Sequence, residues 1–250
     1  MYVFITLIRR EFSSYFLSLT GYVVMATVLL LQGLGFASLL EVFNGTALNA
    51  PVTMVFYDTP YFWLIVLLAT PVITMRLFAQ EKYSGTFETL MTTPVGDLRV
   101  VLAKFTAALL FFIVAWLPLL VCLHVVHRYT TQGVPFNWLP VASTYLGIVL
   151  LGSLYVAIGC LASSLTRSQI IAATTSLAAG ISLFLLSFLK LGLSTQTGWA
   201  SQVVSHVALV SHMEDFARGV VDTRAVVFYM SATVLLLFAT LKVVESRRWK

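Results

Sequence analysis

Apolar residues in this chain do not mark one face of each segment; they fill whole windows. Six such windows run approximately from Tyr22 to Leu40, Tyr61 to Phe78, Leu102 to Val126, Leu139 to Leu161, Ile170 to Leu191 and Ala225 to Val244. A hydrocarbon layer of about 30 Å is crossed by roughly 20 helical residues, so each window predicts a membrane span. Lipid offers the backbone no hydrogen bonds, which makes the spans helical. The expected fold is an all-α membrane protein with a single transmembrane domain over residues 1–250.

The segments between the windows carry weaker patterns. Phe4, Ile5, Leu7, Ile8, Phe12, Tyr15 and Phe16 fall roughly on one helical face, with Arg9, Arg10 and Glu11 off it. This predicts an N-terminal interfacial helix and no cleaved signal peptide. The stretch Glu41 to Pro60 reads as a polar loop, and the connection Ser163 to Gln169 is short enough to force an antiparallel hairpin. In the segment Gly192 to Thr223, Val203, Val204, Val207, Leu209, Val210, Met213 and Phe216 give an amphipathic pattern too polar to span. A short outer re-entrant or interfacial helix is expected there, with Asp222 capping the sixth span.

Composition agrees: 59% of the residues are hydrophobic and only 10% charged, with a mean hydropathy of +0.94. No soluble domain of useful size remains, which excludes a soluble enzyme. The net charge of +5 does not imply nucleic acid, because the basic residues lie in connections. Arg9, Arg10, Arg76, Lys82, Arg99, Lys104, Arg167, Lys242, Arg247, Arg248 and Lys250 fall on one side of a six-span topology. Arg128, Lys190, Arg218 and Arg224 fall on the other. This bias predicts that both termini are cytoplasmic.

Side-chain chemistry inside the spans is sparse. Cys122 and Cys160 sit in apolar runs as small hydrophobes. His124 and His127 are three residues apart, and His206 and His212 share the last outer segment, but neither pair has further ligands, so no metal site is assigned. Serines such as Ser153, Ser176, Ser182 and Ser187 have no histidine or carboxylate at their depth, which argues for packing rather than catalysis. A secondary transporter would carry an ionisable residue near the midplane, and none is evident. Pro71 and Pro118 fall within spans as candidate kinks, and the small residues Gly147, Gly152, Gly159 and Gly180 predict close helix approach within one subunit.

The densest polar pattern is residues 80 to 98, QEKYSGTFETLMTTPVGDL. Gly85 permits a tight entry, Glu88 suits a helix first turn, and Phe87, Leu90 and Met91 form a small apolar face. Pro94 and Gly96 stop the helix before Asp97 caps the third span. Such a helix beneath the membrane can dock on a soluble partner and transmit its motion to the spans.

The string Glu81 to Pro94 resembles the E-x-x-x-G-T-x-E-x-L-x-x-x-P segment of ABC-2 type permeases. The strings Gly159 to Gln169 and His212 to Asp222 are similar to the gliding-motility and copper-enzyme maturation branch of that family. The resemblance implies a permease, with export as the family tendency, in the bacterial cytoplasmic (inner) membrane. Its partners would be membrane lipids, a second permease half, identical or related, and two cytoplasmic ABC ATPase subunits. Glu81, Gly85, Thr86, Phe87, Glu88, Leu90, Met91 and Pro94 would carry the coupling to the ATPase. No G-x-x-x-x-G-K-[ST] loop occurs in this sequence. The chain is therefore expected to bind no cofactor and catalyse nothing itself, with ATP and magnesium on the partner. A large extracellular domain, as in macrolide exporters, is also missing from the pattern. The competing expectation is a non-transporting membrane scaffold or assembly subunit, which recruitment of an ATPase would rule out.

Overall fold

The structure, a computed structural model, describes residues 2–43, 52–86, 96–129, 138–193 and 206–246. The described residues are helical, with no strand among them. In chain order the helices are α1 (Tyr2–Phe16), α2 (Leu19–Phe43), α3 (Val52–Tyr57), α4 (Pro60–Thr74) and α5 (Ala79–Ser84). They continue with α6 (Asp97–Tyr129), α7 (Trp138–Leu165), α8 (Gln169–Leu193), α9 (Leu209–Arg218) and α10 (Thr223–Ser246). Six stretches are long and apolar enough to cross a membrane: Leu19–Glu41, Pro60–Ser84, Asp97–Val125, Trp138–Leu165, Gln169–Ser187 and Thr223–Ser246. They coincide with the six expected spans. The second differs in form, because α4 breaks after Thr74 and the chain turns before continuing as α5.

Successive spans run up and down, and α7 is their centre. Its most apolar stretch is 83% buried, against 28% or less in α2, α8 and α10. Close approach to α7 is made possible by residues that lack a side chain. A methyl group at Gly152 would lie 2.2 Å from the Phe112 ring of α6, and one at Gly159 would lie 1.9 Å from Thr74 Oγ1 of α4. At Gly147 it would meet Phe216 of α9 at 2.8 Å. Packing within one subunit, as expected, is what these glycines serve. The 163–169 connection likewise forms the expected hairpin, with α7 and α8 packed side by side.

Helix α6 runs through Pro118 without interruption. A proline removes one backbone donor and displaces the carbonyl of the preceding turn, and here that turn is served by side chains of other spans. Gln32 Nε2 donates to the Ala115 carbonyl at 3.0 Å, and Tyr145 OH donates to the Trp116 carbonyl at 2.7 Å. These bonds tie α2 and α7 to one point in the middle of α6.

The end of the bundle bearing α1 is termed proximal, and the opposite end distal. Helix α1 packs on the first half of α6, where Tyr15 stacks on Phe111 with centroids 4.7 Å apart. The expected apolar face needs one correction: Glu11 turns inward because a buried cation of α6 faces it, while Ile5 of that face lies on the outer surface.

Distally, the stretch expected as a loop contains helix α3, stabilised against α9. Thr53 Oγ1 donates to the Ala217 carbonyl at 2.8 Å, Tyr57 OH to the Val210 carbonyl at 2.6 Å, and Ser143 Oγ of α7 to the Phe216 carbonyl at 2.7 Å. The apolar residues Leu209, Met213 and Phe216 are buried, as the amphipathic pattern predicted, whereas Val203 and Val204 lie outside the described residues. Gly219 ends α9 at φ 92°, in the left-handed region. Asp222 Oδ1 then accepts the Arg224 amide at 2.8 Å, the cap expected for the sixth span.

Because the Gly159 contact is with a β-branched side chain close to its backbone, Gly159→Ala should destabilise the bundle by about 1–3 kcal/mol, the usual cost of overpacking. Thermal unfolding of the detergent-solubilised chain measures this; an unchanged midpoint would show that α4 and α7 can separate freely.

Candidate functional site

The break between α4 and α5 is written in the sequence around Pro71. Proline supplies no amide, and Thr70 and Thr74 turn their hydroxyls back onto the Val66 and Thr70 carbonyls at 2.7 and 2.8 Å, a habit that bends helices. The helix stops at Thr74, Met75 to Phe78 form a turn, and α5 begins at Ala79.

Two side chains from elsewhere and one of its own clamp this elbow. Ser163 of α7, fully buried, accepts the amides of Phe78 and Ala79 at 3.1 Å each and donates to the Met75 carbonyl at 3.1 Å. Tyr15 of α1 donates to the Ile73 carbonyl at 3.1 Å, and burial pushes its phenol well above the ordinary value, which keeps it a donor. Lys82 of α5, itself buried, reaches back to donate to the Ser164 carbonyl in the last turn of α7, where the helix dipole favours a cation. Backbone groups that the turn frees from helical pairing are thus satisfied by neighbouring elements, as a buried break requires.

Beside the elbow sits a group of charges. The Lys104 ammonium, with its side chain only 2% exposed, lies 2.7 Å from Glu81 Oε1 and 3.3 Å from Glu11 Oε1. Arg10 adds contacts of 2.7 Å to Glu11 and 3.9 Å to Glu81. Its hydrogen bond to Glu11 raises the guanidinium pKa against the opposing effect of burial. The ammonium also stands 5.6 Å over the Phe78 ring. Removing a cation from water costs several kcal/mol unless carboxylates compensate, so this arrangement locks α1, α5 and α6 to one another.

The coupling residues expected from sequence divide into two groups. Glu81 faces inward to Lys104. Gly85 has φ 74° and closes α5 from the left-handed region, and helical Thr86 follows it directly, so it stands where a tight entry to the next segment was expected. A methyl group there would meet open space, so the backbone conformation alone calls for glycine. Thr86 shares a 2.8 Å hydroxyl contact with Ser84. Phe87, Glu88, Leu90, Met91 and Pro94 lie outside the described residues. Asp97, expected as the cap, is the first residue of α6, and the carbonyl of Gly96 before it accepts the Arg99 amide at 2.9 Å.

Lys104, Ser163 and Tyr15 were not singled out by the sequence reading. A lysine within an apolar run, with carboxylates in two flanking segments, was the available signal for the first. Ser163 lay inside the string after the fourth span without any mark of its role. The histidines are scattered: His124 is exposed on α6, His206 is exposed distally, and His212 stands 5.8 Å from the Tyr229 ring. Among the described residues no group of three or more His, Cys, Asp or Glu converges on a point.

Six apolar spans, one of them central and lined with glycines, with an ion-paired elbow at one end, define a multi-pass α-helical membrane protein. Residues 3–216 match the family described as ABC-2 family transporter protein, and the chain belongs to that family. It is accordingly a membrane transport component, the permease type of subunit of an ABC transporter, and not itself catalytic. No curated protein matches the chain in sequence.

Replacing Lys104 by Met leaves Glu81 and Glu11 with only the half-exposed Arg10 as a cation beside them. The expected loss is toward the lower end of about 3–5 kcal/mol, because both carboxylates retain some contact with solvent. The double variant Lys104→Met with Glu81→Gln should recover part of it in a thermal-unfolding cycle, whereas strict additivity would mean that the two do not interact.

Proposed function

We propose that this chain is the membrane half of an ATP-driven exporter, seated on two cytoplasmic ATPase subunits and working with a second permease half. In this reading the proximal end is cytoplasmic, in keeping with the basic residues gathered there, and the membrane is the bacterial inner membrane. The strings Gly159 to Gln169 and His212 to Asp222 support membership of the gliding-motility and copper-enzyme maturation branch.

One observation carries the proposal. The segment that would dock on the ATPase follows Gly85 directly, and the residues just before Gly85 are bonded to α1, α6 and α7 through Lys104, Ser163 and Lys82. A push on the segment after Gly85 reaches a rigid elbow rather than a free loop, and from there the central helix. The chain would bind no nucleotide; ATP and magnesium belong to the partner. Phe87, Leu90 and Met91 would supply the apolar contact, and Glu88 the polar one, with Pro94 stopping the helix.

Gly85→Val and Glu88→Ala should leave insertion intact and abolish stimulation of the co-expressed ATPase by the permease, measured as hydrolysis in proteoliposomes. A Thr92→Cys variant should react with membrane-impermeant maleimide only from the cytoplasmic face. Normal stimulation in both variants, or labelling of Thr92→Cys from outside, would overturn the assignment.

A further inference from the structure

A cavity of about 270 Å³ opens at the proximal end between α1, the start of α2 and the elbow. Its apolar lining includes Val24, Val72 and Phe111, and its polar lining includes Arg76, Glu81 and Glu11. Arg76 is its one basic lining residue, and among the described residues no carboxylate lies within 4.0 Å of the guanidinium. Arg76 Nε and Glu81 Oε2 are both buried without a hydrogen-bond partner among the described residues. The lining therefore lacks an acceptor beside Arg76 and a donor beside Glu81, and each buried atom left so costs about 1–3 kcal/mol.

Depth narrows what can supply both. Thr74, two residues before Arg76, follows Pro60, the first residue of its span, by a helical rise of roughly 21 Å, and the hydrocarbon layer is about 30 Å thick. Thr20 and Gly21, which also line the cavity, belong to the first turn of the first span. Both place the cavity at the boundary between acyl chains and headgroups. An apolar lining that also holds a cation and a carboxylate fits an amphiphile entering sideways from the leaflet.

We propose that this cavity binds a phospholipid whose headgroup carries a hydrogen-bond donor a few bonds from its phosphate, as phosphatidylethanolamine does. The phosphate oxygens accept from Arg76 and the ammonium donates to Glu81 Oε2 after a small side-chain rotation, while the acyl chains follow Val24 and Val72. Glu81 Oε1 keeps Lys104. Phosphatidylcholine has the same charges but no N–H, so it satisfies Arg76 alone. The proposal rests on the membrane topology and not on the presence of an ATPase.

The test uses the full chain in nanodiscs of phosphatidylcholine, with phosphatidylethanolamine titrated in and retained lipid counted by native mass spectrometry. A preference of about tenfold for the ethanolamine lipid is expected, equivalent to about 1.4 kcal/mol, the order of one charge-assisted hydrogen bond. Arg76→Gln should lower retention of both lipids alike, because both present a phosphate to it, and Ser14→Trp, which fills the cavity mouth from α1 without removing a charge, should abolish the preference. Arg9→Gln, on the exposed side of α1, should retain it. Equal retention of both lipids, loss of the preference in Arg9→Gln, or competition by inorganic phosphate at millimolar concentration would each overturn the lipid assignment. The last outcome would make the cavity a site for a soluble anion.

Discussion

A charged amine held out of water is the fact around which the proximal half of this molecule is arranged. Lys104 lies several residues inside an apolar helix, where a lone ammonium would be intolerable, and it persists because Glu81 and Glu11 come to it from two other helices. Attraction between them does more than offset desolvation. It fixes the rotation of α1 about its own axis, so that Tyr15 meets Ile73, and it fixes α5 so that Lys82 meets the last turn of α7. Dispersion among apolar spans is nondirectional and would permit many such rotations. The ion group selects one.

The elbow is the complementary constraint. A helix can be interrupted inside a membrane protein only if other parts of the protein supply the bonds that the interruption frees. Ser163 meets that requirement with one hydroxyl acting as acceptor twice and donor once. The same logic recurs in mid-membrane, where Gln32 and Tyr145 serve the turn ahead of Pro118, and distally, where three hydroxyls serve the carbonyls of α9. Several of the buried polar side chains therefore stand where the backbone is irregular or a helix ends.

Spans were legible in the sequence because an apolar window of that length has no alternative solvent, and the family was legible because Glu81, Gly85, Thr86, Glu88, Leu90 and Pro94 recur at fixed spacing. Local end signals also read correctly where one residue suffices, as with Asp222. What failed to show was whatever depends on residues remote in the chain. Helix α3 looked like loop because its bonds go to α9, and Lys104 looked like a topology-setting cation because its carboxylates lie on other helices. The start of α6 lies one residue from its expected cap, since such boundaries are settled by backbone angles that composition does not report.

The contacts of α7 with its neighbours pass through Gly147, Gly152 and Gly159, each facing a different helix. Positions that contribute no atoms beyond the backbone are thus the ones where this chain can least accept novelty. Sequence drift would be absorbed easily by the bulky apolar residues on the outward surfaces of α2, α8 and α10, whose neighbours are interchangeable acyl chains, and hardly at all along that bare stripe.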